Sequence, residues 1–260
     1  MIDISLQNLN ISYGKEDIIS NVNLTFIKEK MTSIIGPNGS GKSTLLKAIS
    51  GIIKTNQGKI LINHKLINSY NKKNLAQKIS SLPQSPESPK DITVRQLVSY
   101  GRYAYQSLFK KNKIENEKMV EWALKVTGLN ELSEHYMDEL SGGQKQRAWI
   151  AMSIAQNSDC LFLDELTTYL DIKHQLEILE LLKNLNKKEK KTIIMVHHDL
   201  NHAIRYSDYI VIIKKGKIIA HENIETIIKN KVLNNVFQVN FKILRDEKNN
   251  PIIFSDGILN

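Results

Sequence analysis

Nine consecutive residues carry the plainest chemistry in this chain: Gly36-Pro37-Asn38-Gly39-Ser40-Gly41-Lys42-Ser43-Thr44. Glycines at 36, 39 and 41 let the backbone bend back on itself, so that successive N–H groups line one concavity suited to phosphate. A helix opening at Lys42 adds the positive end of its dipole. Lys42 can reach outer phosphates, and Ser43 offers a hydroxyl to a Mg2+ ion. The pattern G-x-x-x-x-G-K-[ST] needs a strand before it and a helix after it. Ile34-Ile35 and Leu45-Leu46-Lys47-Ala48-Ile49 supply both. The bland alternative is a glycine-rich turn before an ordinary helix, and the context on both sides argues against it. A second stretch, Leu140-Ser141-Gly142-Gly143-Gln144, repeats the logic. Ser141 suits an N-cap, and two glycines expose N–H groups at a helix start, which makes another anion site. Two such helix ends are hard to use on one nucleotide unless two copies of the chain face each other.

The elements that must position these groups follow from periodicity. Residues 2–27 alternate apolar and polar positions (Ile2, Ile4, Leu6, then Ile18, Val22, Leu24, Phe26), the pattern of antiparallel strands with one solvated face, and Tyr13-Gly14 sits at their turn. Gly58 to Asn63 reads as a further strand, and Lys72 to Ile79 as a short helix feeding the strand Ile79 to Leu82. Pro83, Pro86 and Pro89 then keep the next stretch from becoming helix or central strand. From Thr93 to about Gln156 the pattern is helical: Val94, Leu97, Val98 and Gly101 share one face, and Met119, Trp122, Ala123 and Val126 another. Asp159 to Asp164 is a buried strand ending in acids, Ile172 to Leu185 an amphipathic helix, and Thr192 to Val196 an apolar strand of the parallel type. Tyr209 to Ile213 and Lys217 to Ala220 form a hairpin, and the tail from about Asn223 holds short helices and then strands over Phe237 to Ile253. The expectation is an α/β fold: a mixed central sheet with N-terminal antiparallel strands and an inserted α-helical subdomain. Residues 1–84 and 157–222 would form the core, 85–156 the helical subdomain, and 223–260 a tail packed on the core.

Bulk properties narrow the partners. A chain of 260 residues, 41% hydrophobic and 24% charged, has the balance of an ordinary globular protein. Its net charge of +9 could suit nucleic acid or an anionic membrane surface. The lysines, however, are spread over short runs (Lys110-Lys111, Lys187-Lys188, Lys190-Lys191, Lys214-Lys215) without interleaved aromatics, which argues against nucleic acid. Cys160 stands alone and cannot form an internal disulfide, and Met1-Ile2-Asp3-Ile4 lacks a signal pattern, so a cytosolic chain is expected. No apolar run approaches the ~20 residues needed to cross a bilayer, though the chain can dock on something that does.

With a phosphate loop and Leu140-Ser141-Gly142-Gly143-Gln144 in one chain, the sequence resembles the ATP-binding cassette (ABC) ATPases of transporters, whose signature is LSGGQ. The family's motifs occur here in order from Tyr13 to about Ile213. The resemblance implies a P-loop NTPase of ABC type that binds ATP with Mg2+ and hydrolyses it. It would work as a sandwich dimer of two copies at the cytoplasmic face of a membrane, against integral permease subunits and indirectly with a solute-binding protein. Each ATP would lie between the loop of one copy, Gly36, Asn38, Gly39, Ser40, Gly41, Lys42, Ser43 and Thr44, and Ser141, Gly142, Gly143 and Gln144 of the other. Tyr13 matches the aromatic that stacks on adenine, and Gln84 the glutamine that contacts magnesium and water. Asp164 matches the acid that holds magnesium through its water shell, and Glu165 the one that orients and polarises the attacking water. Alone, such an acidic pair at a strand end could be a solvated turn. Asp171 matches the loop that crosses the dimer seam, and His198 the histidine that bonds the γ-phosphate. Strand alternation lets only one of His197 and His198 reach the nucleotide, and a His-His-Asp metal site lacks further ligand spacing. Two departures stand out. Leu166 replaces the proline usual after the glutamate, which puts the stiffness of that loop in question. His197 stands where the family more often has another residue, and nothing in the sequence explains it.

The stretch Thr93 to Tyr103, the run Gln146 to Met152, and Thr167-Thr168-Tyr169-Leu170-Asp171 through His174 to Leu179 resemble the subgroup that energises uptake of iron–siderophore complexes, haem and cobalamin. Within it, the ferric hydroxamate-type ATPases are most similar. In this family, sequence between Gln84 and the signature faces the membrane partner. The rivals are a haem or cobalamin importer ATPase, a soluble ABC ATPase serving DNA repair, translation or cluster assembly, and a non-catalytic module with a vestigial site. A single cassette without a coiled-coil insertion opposes the soluble ATPase, and intact Lys42, Asp164, Glu165 and His198 oppose the vestigial module.

Overall fold

The computed structural model describes residues 2–84, 86, 91–106, 113–166 and 170–259. The chain divides into two compact units, Met1–Ser69 with Thr192–Asn260, and Tyr70–Lys191. Thr167-Thr168-Tyr169, Lys110-Lys111 and most of the proline-punctuated loop (85 and 87–90), all singled out in the sequence, lie outside the described residues.

The first unit opens with strands β1 (Ile4–Tyr13) and β2 (Glu16–Phe26), antiparallel as their alternation predicts, with Ile4, Leu6, Leu9, Ile11, Ile19, Val22, Leu24 and Phe26 buried. Strand β3 (Met31–Ile35) is buried at every position, the pattern of a strand covered on both faces. Helix α1 (Lys42–Ile49) follows, and strands β4 (Gln57–Ile62) and β5 (Lys65–Leu66) extend the N-terminal sheet, β4 antiparallel to β1.

The second unit begins with helix α2 (Lys72–Ala76), capped by Asn71, and strand β6 (Ile79–Leu82). Helix α3 (Val94–Tyr100) starts in a capping box of Thr93 and Gln96, which satisfies two orphan N–H groups reciprocally. Helices α4 (Lys113–Val126) and α5 (Gly142–Ala155) complete the helical part. Arg95 of α3 binds Glu117 and Glu121 of α4 and Glu134 beyond it, and Arg102 is buried with its guanidinium donating to Ala155 O at 2.8 Å. Strand β7 (Cys160–Asp164) pairs in parallel with β6, and burial pushes the Cys160 thiol well up, so it stays protonated. Helix α6 (Ile172–Glu189) runs beyond the Leu185 expected from its apolar stripe. Its last turn carries Lys187 and Lys188, cations favoured at a helix C-terminus, before Lys190 turns left-handed at φ 54°.

The chain then returns to the first unit with strand β8 (Thr192–Val196), helix α7 (Leu200–Tyr206), and strands β9 (Tyr209–Lys214) and β10 (Lys217–Asn223). Strand β3 is parallel to both β8 and β9, and β10 is antiparallel to β9, so the sheet is mixed as expected. Helices α8 (Ile224–Lys229) and α9 (Val232–Phe237) precede the hairpin of β11 (Val239–Arg245) and β12 (Pro251–Ile258). Ile227, Leu233, Val236 and Ile253 of this tail are buried with Ile35, Ala203, Ile204, Ile210 and Ile212. The Asn201 side chain fixes the hairpin by exchanging two hydrogen bonds with the backbone of Ile253. Among the described residues no helix is long and apolar enough to cross a membrane.

Candidate functional site

In the first unit the loop between β3 and α1 has the form its sequence demands. Gly36 cannot be replaced: a Cβ there would lie 2.0 Å from Ile213 O. Gly41, at φ 102°, is the N-cap of α1, and no side chain caps the helix, which leaves its first N–H groups to the loop and to a ligand. The loop is pinned from below by the β9–β10 turn, where Gly216 N donates to Ser40 O at 3.0 Å and Ser20 N of β2 to Gly216 O at 2.9 Å. Lys42 is 5% exposed, and its Nζ donates to two carbonyls of its own loop, Gly36 O at 3.0 Å and Pro37 O at 3.1 Å. Ser40 Oγ is buried without a protein partner among the described residues. A cation held by exchangeable bonds and an orphaned hydroxyl, in a cradle of backbone N–H groups, together fit a phosphate group. Asn38 and Gly39 are exposed at the crest of the loop, and Ser43 and Thr44 are half-buried in the first turn of α1. Tyr13, at the end of β1, is 53% exposed, as an aromatic must be to receive a base.

The histidine pair lies beyond the end of β8, a strand buried at every position, so period-two alternation does not govern it, yet the two side chains still part. His197 is buried, its backbone N–H donates to Ile34 O at 3.2 Å, and His198 is exposed. Burial, reinforced by His202, pushes the His197 imidazole down to about 4, so it is neutral. Asp199 caps α7 by accepting from His202 N at 2.9 Å.

In the second unit Asp164 closes β7 and is 5% exposed. Glu165 follows in the left-handed region at φ 50°, a conformation uncommon for a residue with a Cβ. Its Oε2 accepts from Nε2 of Gln84 at 2.6 Å, which brings together two residues 81 positions apart. Leu166 is 6% exposed, so side-chain burial anchors the loop where a proline ring would otherwise stiffen it. Ser141 is the N-cap of α5: Gln144 N donates to Ser141 Oγ at 3.4 Å, and Gln144 Oε1 accepts from Ser141 N at 2.9 Å. The Gln144 side chain is thus engaged in a capping box, while the N–H groups of Gly142 and Gly143 stand in the first turn.

Asp171 has a local role that the sequence reading did not give it. It is the N-cap of α6 and accepts from His174 N at 2.9 Å, with His174 Nδ1 2.8 Å from the same oxygen. These bonds hold its carboxyl below the usual value. The signal was present, since an Asp immediately before the first residue of an apolar helical stripe is a helix-start pattern. The ion pair of Arg147 on α5 with Glu177 on α6 had no such signal.

The family model described as "ABC transporter" matches residues 19–168. The iron(3+)-hydroxamate import ATP-binding protein FhuC of Bacillus subtilis (strain 168) is 45% identical over 96% of this chain and 93% of that protein. Among solved structures, cbiO1 of Clostridium perfringens, part of the ABC transporter complex cbiONQ, superposes with a TM-score of 0.77 at 32% identity, covering 89% of this chain and 92% of that one. The dimeric structure of MJ0796, a bacterial ABC transporter cassette, gives a TM-score of 0.74 at 32% identity over 85% of this chain and 98% of that one.

Proposed function

Because the chain belongs to the ABC transporter family, as an ATP-hydrolysing import subunit, we infer that it powers uptake of a ferric siderophore, of hydroxamate type, from the cytoplasmic face of a membrane. The observation that carries the ATPase reading is the loop Gly36–Thr44, where Lys42 rests on exchangeable carbonyl bonds beside the orphaned Ser40 hydroxyl. What supports the cargo is the 45% identity to an iron(3+)-hydroxamate import ATP-binding protein.

The residues take the following roles. Backbone N–H groups of the loop residues 38–44 and Lys42 bind the β- and γ-phosphates, with Lys42 giving up its bonds to Gly36 O and Pro37 O. Tyr13 stacks on adenine, where an aromatic face is worth about 1–3 kcal/mol. Ser43, Gln84 and Asp164 are oxygen donors, the set a hard cation takes, and would hold Mg2+. When bound, that ion supplies charge neutralisation on the phosphates. Glu165 accepts a proton from, and orients, the attacking water, and His198 donates to the γ-phosphate. Positioning and charge stabilisation account for most of the rate. The first turn of α5 in a second copy, Ser141 to Gln144, closes over the same nucleotide, and Asp171 lies at the seam.

The permease is met by the second unit. A groove of about 610 Å³ there is lined by Lys72, Lys73, Tyr100, Tyr103, Gln106 and Gln156, with Tyr103 76% and Tyr100 54% exposed. Exposed aromatics beside lysines suit an amphipathic segment of a membrane partner. A solute-binding protein acts one step removed. Disrupting the gene should abolish growth on ferric hydroxamates as sole iron source. Normal uptake of every ferric siderophore would overturn the cargo while leaving the ATPase intact.

A further inference from the structure

The imidazole of His174 touches two segments that have separate entries in the mechanism. Its Nδ1 lies 2.8 Å from Asp171 Oδ1, the oxygen that also accepts the His174 backbone N–H at 2.9 Å. On its other side the ring lies against the backbone of Gly143, in the first turn of α5. A Cβ at 143 would stand 2.9 Å from Cδ2, 3.0 Å from Cγ and 3.3 Å from Nε2 of that ring. Gly143 is buried beneath it, and the His174 side chain is 34% exposed. Further along, Arg147 and Glu177 tie the same two helices, α5 and α6.

Helix capping alone does not call for this residue. Asp171 needs only a backbone N–H at the third helical position, which any residue but proline supplies. The ring contributes two further things: a second donor to the same carboxylate, and a flat surface that fits only because position 143 has no side chain. We propose that His174 is a positioning residue that fixes the spacing between Asp171 and Ser141–Gln144, so that both meet the opposing copy as one rigid surface. The proposal rests on the reading that Ser141–Gln144 closes over the nucleotide of a second copy.

The geometry explains why a glycine is needed at 143 in this chain beyond exposing an N–H group. A methyl there would push the imidazole away from Asp171. Residues 143 and 174 should therefore be energetically coupled, and coupling of contacting residues is what a double-mutant cycle measures.

The test uses the full chain carrying His174→Ala, His174→Asn, Gly143→Ala and the His174→Ala/Gly143→Ala pair, with a Glu165→Gln set for dimer formation. Asn keeps a donor near the Nδ1 position but removes the ring. Expected are an ATP Kd of the isolated subunit within twofold of the parent for all, and kcat about tenfold lower in His174→Ala. In the Glu165→Gln background that substitution should also leave about tenfold less ATP-induced dimer. His174→Asn should restore the melting temperature but not kcat. The pair should lose no more than the worse single variant. A product of the two single losses, or parental kcat in His174→Asn, overturns the proposal and leaves His174 a helix residue only. If Glu165→Gln alone forms no dimer with ATP, the trans reading itself fails, and this proposal with it.

Discussion

Gln84 donates its Nε2 to Oε2 of Glu165 at 2.6 Å, so an amide from the loop after β6 holds the carboxylate that follows β7. The bond restrains a side chain whose backbone already sits at φ 50°, so the carboxylate is held in one place before any water is presented to it. Glu165→Gln should keep ATP affinity and lower steady-state phosphate release by 10²-fold or more, about the share general-base catalysis supplies. An ATP-bound dimer should accumulate on size exclusion. Release at the parental rate would remove Glu165 from the mechanism.

Ser141→Arg removes the N-cap of α5 and places a bulky cation in its first turn. Loss of the cap should cost about 1 kcal/mol of stability in urea melts. ATP hydrolysis should vanish, while ATP binding to the isolated subunit, measured by calorimetry, stays unchanged. Weakened binding in the monomer would contradict the assignment of Ser141 to the opposing copy.

Leu166 anchors the acidic loop through burial at 6% exposure. Leu166→Ala should destabilise the chain by about 2–5 kcal/mol, the usual result of emptying a buried leucine site. Because the loop beside Glu165 loosens, kcat should fall while KM for ATP moves little. An unchanged urea midpoint would show that the side chain carries no anchoring energy.

His197 gives a pH signature. Its folded imidazole is pushed down to about 4 from 6.5, so between those values the unfolded chain binds the extra proton. Stability from this group is therefore intact above pH 6.5 and is lost as pH falls toward 4. Between pH 7 and 5 the parent should lose about 2 kcal/mol more than His197→Asn, which does not titrate. Parallel stability profiles for the two proteins would refute the buried neutral histidine.

Much of this was legible in the chain because it is local. The phosphate loop depends on spacing within nine residues, β1 and β2 on a period of two, and Ser141 on a cap pattern. The family resemblance extended the reading to Gln84 and His198, which have no physical signature of their own. What stayed hidden depends on the phase of one helix against another: Gly143 beneath His174, Arg147 against Glu177, and Arg95 among Glu117, Glu121 and Glu134. Residues some 30 positions apart on α5 and α6 meet through packing that no local pattern encodes. The end of α6 is hidden for a related reason: its apolar stripe stops at Leu185 while the helix continues to Glu189.

The position of Lys42 has an energetic consequence. With its ammonium seated on Gly36 O and Pro37 O, the loop carries in its own fold the charge that a phosphate would meet. Binding would exchange those carbonyl bonds for charge-assisted bonds to phosphate oxygen, so an ammonium at 5% exposure keeps hydrogen-bond acceptors at both stages.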